Sequence, residues 1–314
     1  MKPKLLCCFL ALTFVQAVSA QSPLLNRLDR DSALYQISSL RRDRDAGAVI
    51  ERGLTGGGIW RFNVEGSANY ESNAFRAPHA QDDWHVDYGA SLGYDWWLAE
   101  GNLTVSPEVG IGGQRYDSYS DLSGDQFSAG VRIEPKLPFR ATLSYATEWE
   151  YDAGFKQHTS TVQNLGLAVG PNATKFANDM GVWSTTLSGN YTFADISLRE
   201  AVTIALGTKL SYSLMDELAA TATAGISYRD YTHNAGTDRH FWIASVGAQL
   251  AYSITKEFTL TTGVNYARSD GNLPTFDYDG FTAYIGLSYS WESKPASSSG
   301  YHESSGKKPF KPNK

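Results

Sequence analysis

Cysteine and long apolar runs are both scarce in this sequence. The only cysteines, Cys7 and Cys8, stand close to the N-terminus. The rest of the chain therefore lacks thiols for disulfides, metal-thiolate sites or nucleophilic chemistry. Beyond the N-terminus no stretch of ~18 apolar residues occurs, so no transmembrane helix is predicted. A chain without cross-links needs a large core or an extensive hydrogen-bonded framework.

Positive charge is in the minority, with 27 Lys and Arg residues against 33 Asp and Glu residues. An acidic chain repels phosphate backbones, which argues against nucleic acid as a partner. The terminal stretch 293–314 has the opposite balance. It is rich in Ser, Pro, Gly and Lys and is predicted to be a disordered basic tail.

The first twenty residues have the order of a secretory signal peptide. Two lysines provide a positive start, Leu5–Ala17 is apolar, and Val18–Ala20 is a small-residue cleavage site. Residues 1–20 are therefore predicted to direct export. Residues 21–57 follow as a periplasmic N-terminal segment, whose apolar spacing suggests a short amphipathic helix. Two interpretations stay open for this segment: a plug inside the following domain, or disorder.

The region 58–292 alternates apolar and polar residues with a period of two, as extended strands with two unlike faces do. In the last two strands the apolar positions include Phe258, Val264, Ile285 and Trp291. Strands of ~9–11 residues with aromatic ends have the length and anchoring of transmembrane β-strands. Twelve such strands occur, and their connections mostly alternate between short turns and long loops, as in outer-membrane barrels.

The predicted fold is all-β: a closed antiparallel up-and-down transmembrane β-barrel over residues 58–292. In hydrocarbon only helices and closed barrels satisfy every backbone polar group. The predicted strand number is twelve, with ten as the alternative. The alternative arises because the turn 170–181 is long and the loop 194–201 is short, against the alternation. An export signal and a barrel together predict location in the cell outer membrane.

Aromatic residues cluster at both ends of the predicted strands. A soluble β-sandwich would also alternate, but it has no reason to place Trp and Tyr at two levels. The predicted interfacial belts are, at the turn ends, Trp60, Trp96, Tyr252, Phe258 and Trp291, and at the loop ends, Tyr70, Trp84, Trp149, Tyr228, Trp242, Tyr266 and Phe281.

Charged residues occupy inward-facing positions of the same strands. The predicted lumen-lining residues are Arg61, Glu65, Asp87, Asp95, Glu108, Arg132, Glu134, Arg140, Glu148, Glu150 and Lys209. Buried charges must be paired or hydrated. In one interpretation they line a water-filled passage whose acidic excess favours cations. In the other they form salt bridges that fill the interior, since a twelve-stranded barrel lies between small filled barrels and wide porins.

Signals for enzymatic chemistry are weak. His85 beside Asp83 or Asp87 is compatible with an aspartate–histidine pair, but a histidine at a strand end is more often solvated surface. Asp117, Asp121 and Asp125 share one connection without the spacing of a calcium loop, and are interpreted as exposed loop residues. No catalytic residue, metal ligand or cofactor is predicted.

The segment Ala68–Arg76 reads A-N-Y-E-S-N-A-F-R, and Gln81–Trp84 and Leu92–Tyr94 follow it. It resembles the first hairpin of the outer-membrane β-barrel porin family of Gram-negative-type bacteria. That hairpin reads aromatic, acid, Ser, Asn, any residue, aromatic and Arg before an Asp-led second strand. The direct resemblance covers residues 68–94, and the strand rhythm continues it.

The resemblance implies porin-like passage of small solutes across the outer membrane. The alternative hypothesis is a structural or surface-binding barrel with a filled lumen and no transport. Neither hypothesis is enzymatic. The expected partners are outer-membrane lipids and lipopolysaccharide, the barrel-assembly machinery, and small solutes.

Overall fold

The computed structural model describes residues 58–293, except 75–80, 178–179, 196–198, 232–238 and 273–276. The predicted signal peptide (1–20) and N-terminal segment (21–57) lie outside the described residues, as does the predicted tail beyond Ser293. The described part contains two short 3-10 turns, Ala99–Gly101 and Ser120–Leu122, and is otherwise β-strands and their connections. None of its helices has the length and hydropathy needed to cross a bilayer.

Thirteen strands follow one another along the described chain. They are β1 (Gly58–Glu71), β2 (Asp83–Leu98), β3 (Leu103–Tyr116), β4 (Gly124–Pro135), β5 (Arg140–Asp152), β6 (His158–Gly170), β7 (Thr174–Phe176), β8 (Gly181–Ala194), β9 (Ala201–Ser213), β10 (Leu218–Tyr231), β11 (Arg239–Ser253), β12 (Phe258–Gly271) and β13 (Tyr278–Glu292).

Twelve of these strands form a closed antiparallel ring. Each pairs with its neighbour in sequence, β6 pairs with β8, and β1 pairs with β13 from Arg61↔Glu292 to Glu71↔Thr282. Closure leaves no unpaired edge among the ring strands. The predicted twelve-stranded barrel is therefore confirmed, and the ten-stranded alternative is wrong.

The long turn that suggested ten strands contains the short extra strand β7. Its residues Thr174–Phe176 pair only with the start of β8, Gly181–Trp183, and lie outside the ring. The extra length therefore forms a hairpin tip at the end of the barrel and does not change the ring.

The outer face of the ring is apolar, as the alternation predicts. Leu260, Val264 and Ile285 are 37%, 48% and 54% exposed, and Val264 and Ile285 lie near the middle of their strands. In water such a surface would be unfavourable, whereas in a bilayer it contacts hydrocarbon.

The barrel has two unlike ends. We call the end with the connections 98–103, 135–140, 170–181, 213–218 and 253–258 the turn end, and the other the loop end. The turn after β11 is self-contained: the hydroxyl of Thr255 accepts hydrogen bonds from the backbone N–H groups of Glu257 and Phe258, both at 3.1 Å. Short turns of this kind bring consecutive strands into antiparallel register.

The predicted belt aromatics lie near the two ends of the outer face. Ten of the twelve are more than a third exposed, from 37% for Trp149 to 57% for Trp84. Tyr70 and Tyr228 are partly buried, and their rings lie 5.3 Å from Trp84 and 5.0 Å from Trp242. Trp183, 53% exposed at the turn end of β8, is a further exposed indole at that level.

Candidate functional site

The ring encloses a cavity of about 1270 Å³, whose lining includes charged, hydroxyl-bearing, amide and small residues. All twelve ring strands contribute to its lining. The lining extends from Lys256 and Glu292 at the turn end to Asn73 and Tyr278 at the loop end. The side chains of the described residues thus do not fill the interior along its length.

One wall of the cavity is acidic. Glu65, Asp87 and Glu108 lie on the neighbouring strands β1, β2 and β3 and all line the cavity. Asp87 accepts a hydrogen bond from the amide of Asn69 at 3.0 Å. Among the described residues Glu65 has no hydrogen-bond or ion-pair partner, so its carboxylate is free to meet water or a solute.

Arg61 joins this wall to the turn end. Its guanidinium lies 2.9 Å from the carboxylate of Asp95 and 3.4 Å from that of Glu108, and only 5% of its side chain is exposed. A side chain at Gly93 would come within 2.9 Å of Arg61 and 3.4 Å of Glu108. Glycine at this position therefore leaves room for the ionic bridge.

The wall across the ring has a different chemistry. Strand β9 lies half-way round the ring from β2, and β10 lies half-way round from β3. These two strands contribute the cations Lys209 and Arg229 to the lining. The hydroxyl-bearing residues that these two strands add to the lining are Thr203, Thr221, Thr223 and Ser227, and β11 adds Ser245 beside them. Carboxylates on one side thus face hydroxyls and two cations on the other.

Buried groups narrow the loop end on the β1–β3 side. The connection between β3 and β4 folds inward there, and Leu122 and Tyr116 are almost completely buried beside Ala74. Asp83 fixes this connection, because its carboxylate accepts the backbone N–H groups of Ser118 at 3.1 Å and Tyr119 at 3.0 Å.

A second narrowing lies on the opposite side of the loop end. Tyr231, Phe241 and Ile243 form a buried apolar cluster with Ala201 at the ends of β9, β10 and β11. The guanidinium of Arg239 lies 4.0 Å above the ring of Tyr231. The loop end is therefore more densely packed than the middle of the lumen.

Seven of the eleven predicted lumen residues lie on the cavity surface. They are Arg61, Glu65, Asp87, Glu108, Arg132, Glu148 and Lys209. Their functional roles stay predictions, because position alone assigns no solute.

The other four predicted lumen residues do not line the cavity. Asp95 is paired with Arg61, and Glu134 is 2.8 Å from Arg132 with 41% of its side chain exposed. Arg140 donates to the backbone carbonyls of Pro171 and Thr185 at the turn end. Glu150 is almost fully buried against Arg199. Alternation placed these side chains on the inner face, but it does not show what covers them.

Arg199 itself was not predicted as a lumen residue. It lies just before β9, in a connection where a period of two has no meaning, yet its side chain is 2% exposed and lines the cavity. The only sequence signal was an arginine in an unusually short loop.

Asp125 was interpreted as an exposed loop residue, and that interpretation is wrong. Its side chain is fully buried and lies 2.7 Å from the guanidinium of Arg115. It also accepts the backbone N–H groups of Gly154 and, at 3.2 Å, Phe155. The ring of Phe155 lies 4.8 Å from that of the outward-facing Phe127. The β5–β6 connection thus packs against the outer face of β4.

His85 is also buried, not solvated as interpreted from the sequence. Its ring stacks on Tyr116 at 4.7 Å, and its Nε2 lies 3.4 Å from the carboxylate of Asp87. The described residues contain no group of three or more His, Cys, Asp or Glu side chains placed to hold a metal ion. Asp83, the other acid near His85 in sequence, is engaged with backbone amides.

Comparison with known proteins gives a family match over part of the chain. Residues 197–290, which include β9 to β12 and most of β13, match the model of the family described as Putative beta-barrel porin 2. The segment 68–94, which carries the resemblance in the sequence, lies outside the matched residues. No curated protein matches the sequence.

Three solved structures illustrate the range of similar barrels. The translocator domain of the autotransporter NalP from Neisseria meningitidis is 15% identical, with 83% of this chain and 97% of that chain covered and a TM-score of 0.38. An outer-membrane channel from Pseudomonas putida F1 is 11% identical, with coverages of 75% and 96% and a TM-score of 0.45. LpxR from Salmonella typhimurium is 11% identical, with coverages of 71% and 99% and a TM-score of 0.42.

At these identities and TM-scores the three structures carry no conclusion about the activity of this chain. The family match and the chain's own closed barrel are independent of them. Together, these two findings confirm the resemblance to β-barrel porins and point to a protein of the outer membrane.

Proposed function

We propose that the protein conducts small solutes across the outer membrane through its lumen, with a preference for cations. The observation that carries the proposal is the cavity with charged side chains, whose lining continues from the turn end to the loop end. A barrel whose only role is structural does not need such a cavity, because smaller barrels fill their interior with side chains.

The cavity has room for hydrated ions and small molecules. A volume of 1270 Å³ distributed over an apolar band ~25 Å tall corresponds to a mean cross-section of ~50 Å². That cross-section is wider than a single file of water molecules, since a molecule that occupies about 30 Å³ has a cross-section of about 10 Å². Large folded solutes do not fit.

Cation preference follows from the acidic wall. A carboxylate without a cationic partner, such as Glu65, attracts cations into a confined space, where salt screens the field less than at an open surface. Asp87 and Glu108 add to the negative potential on the same wall. Lys209 and Arg229 on the facing strands limit this preference and keep it moderate.

Planar-bilayer recordings of the purified full-length barrel test the proposal. A salt gradient should give stepwise conductance with a reversal potential of the sign expected for cations. Lack of conductance in either orientation of the inserted protein would contradict solute passage. Conductance with an anion-selective reversal potential would contradict only the cation preference.

The packed loop end supports a second candidate, a surface-binding or structural barrel. There the buried clusters around Tyr116 and Phe241 provide rigid supports for the external connections. This candidate predicts no conductance, together with retention of the barrel on a surface of lipopolysaccharide or another envelope polymer. Contacts with outer-membrane lipids, lipopolysaccharide and the assembly machinery stay predictions in both cases.

A further inference from the structure

Arg199 makes an unusual contact at the loop end. Its guanidinium donates two hydrogen bonds to the carboxylate of Glu150, Nη1 to Oε2 and Nη2 to Oε1, both at 2.8 Å. The hydroxyl of Ser160 donates to the same carboxylate at 2.8 Å and accepts from Arg199. The side chains of Arg199 and Glu150 are 2% and 1% exposed. Paired two-point geometry of this kind is the strongest form of an arginine–carboxylate interaction.

The ladder around Glu150 is modified to hold this contact. The register of β5 against β6 shifts between Glu150 and Tyr151, so that Glu150 faces Ser160 and Tyr151 faces His158. A bulge of this type redirects a side chain at a sheet margin. The connection after β8 is tied down as well, because Asp195 accepts the backbone N–H of Thr161 at 2.8 Å and donates its own to the carbonyl of Thr161 at 3.1 Å.

The positions relative to the lumen define what the arginine does. Arg199 precedes β9, and its side chain passes β6 and β8 to reach β5. Arg199 lines the cavity, whereas Glu150 does not. The guanidinium therefore stands between the carboxylate and the lumen. Glu148, also inward on β5, lines the same cavity and lies within electrostatic range of both partners.

From this geometry we propose that Arg199 is a specificity-determining residue of the loop-end mouth. The proposal rests on the solute passage proposed above. Arg199 neutralises Glu150 and occupies space at the mouth. By neutralising Glu150 it lowers the cation preference that the acidic residues of β5 would otherwise produce. By occupying space it also lowers the conductance. A carboxylate that loses its buried cationic partner must find water or another cation.

Two single variants remove the two charges of this pair one at a time, and E150Q does so without a change in side-chain size. R199Q removes one positive charge and leaves Glu150 facing the lumen, so the cation-to-anion permeability ratio should rise roughly twofold. E150Q removes the negative charge and leaves Arg199 unneutralised, so the ratio should fall by a similar factor. The double variant R199Q/E150Q restores the net charge, and its ratio should return to that of the native barrel. All three variants should conduct at least as well as the native barrel, because the mouth is less tightly closed.

The opposite signs of the two single variants are the decisive readout. A residue that only braces the β8–β9 connection would change conductance in both variants without moving the reversal potential in opposite directions. Equal reversal potentials in all four proteins, or shifts of the same sign in both single variants, would overturn the proposal. R268Q is the matched control, since Arg268 is an exposed arginine near the loop end of β12 on the outer face. It should leave the reversal potential unchanged.

A second measurement does not depend on conduction. Ser160 is 0% exposed behind the ion pair. S160C should therefore resist a membrane-impermeant maleimide, and S160C/R199A should react with it. Mass spectrometry of the peptide that contains position 160 keeps Cys7 and Cys8 out of the measurement. Equal labelling of the two proteins would contradict the covering role of Arg199. If the native barrel does not conduct but labelling follows this expectation, the proposed function fails while the position of Arg199 at the mouth stands.

Discussion

Arg61 and Asp95 form a buried ion pair of 2.9 Å between β1 and β2, in which 5% and 15% of the side chains are exposed. Inside a barrel, where partners of opposite charge are few, such a pair holds two neighbouring strands in one register. Arg61 also reaches Glu108 on β3 at 3.4 Å. One guanidinium thus links three consecutive strands near the turn end.

The first prediction concerns this link. R61A leaves Asp95 buried and without its cation, and should lower the free energy of unfolding by about 3–5 kcal/mol. Urea unfolding in detergent micelles or liposomes, followed by tryptophan fluorescence, measures the change. R132A is the control, because its partner Glu134 is 41% exposed and meets water once Arg132 is removed, so the loss of stability should be smaller. Equal decreases in the free energy of unfolding of R61A and R132A would show that burial of the remaining carboxylate does not decide the cost.

The second prediction concerns the partner-free carboxylate on the acidic wall. E65Q keeps the shape of the side chain and removes its charge, so the reversal potential in a salt gradient should move toward zero. E217Q is the control, because it changes an exposed glutamate in the turn before β10. It should leave the reversal potential unchanged. If E65Q has the same reversal potential as the native barrel, Glu65 does not contribute to the electrostatic field in the passage.

The third prediction tests which face of a strand meets lipid. V264R places a charge on the outer face near the middle of β12, where Val264 is 48% exposed. An arginine near the bilayer midplane costs about 2–4 kcal/mol, so folding into liposomes should fail or slow markedly. N265R changes the adjacent residue, which lines the cavity. It should fold and show a smaller conductance. Heat-modifiability on gels reports folding of both variants, and equal folding would contradict the assigned faces.

The fourth prediction concerns the β3–β4 connection. D83A removes the carboxylate that accepts the N–H groups of Ser118 and Tyr119. Hydrogen exchange at residues 117–123 should therefore become faster, and the passage at the loop end should become noisier and wider. D82A is the neighbouring control, since Asp82 is exposed and accepts a hydrogen bond from the hydroxyl of Tyr70. Slow exchange that persists in D83A would show that the buried Leu122 and Tyr116 hold the connection alone.

The alternation of apolar and polar residues along the sequence was sufficient to predict the strands of the barrel. Each of the twelve predicted strands corresponds to one strand of the ring, and Leu260, Val264 and Ile285 face outward as their alternation requires. The reason is that a strand's period of two is a property of neighbouring residues. A bilayer also favours apolar residues at most outward positions within its thickness. The twelve belt aromatics likewise follow from strand length, because the ends of a spanning strand meet the interfaces.

Tertiary structure decided everything that depends on contacts between connections and strands. The burial of His85 and Asp125, the extra strand β7 and the pairing of Arg199 with Glu150 all involve connections or their contacts, where side chains have no fixed period. Arg199 and Glu150 are 49 positions apart, and only the pairing of β5, β6, β8 and β9, with the register shift between β5 and β6, brings them together. Sequence by itself thus determined which face each strand residue takes. Which charges neutralise one another, and what lies open to the lumen, depended on packing in three dimensions.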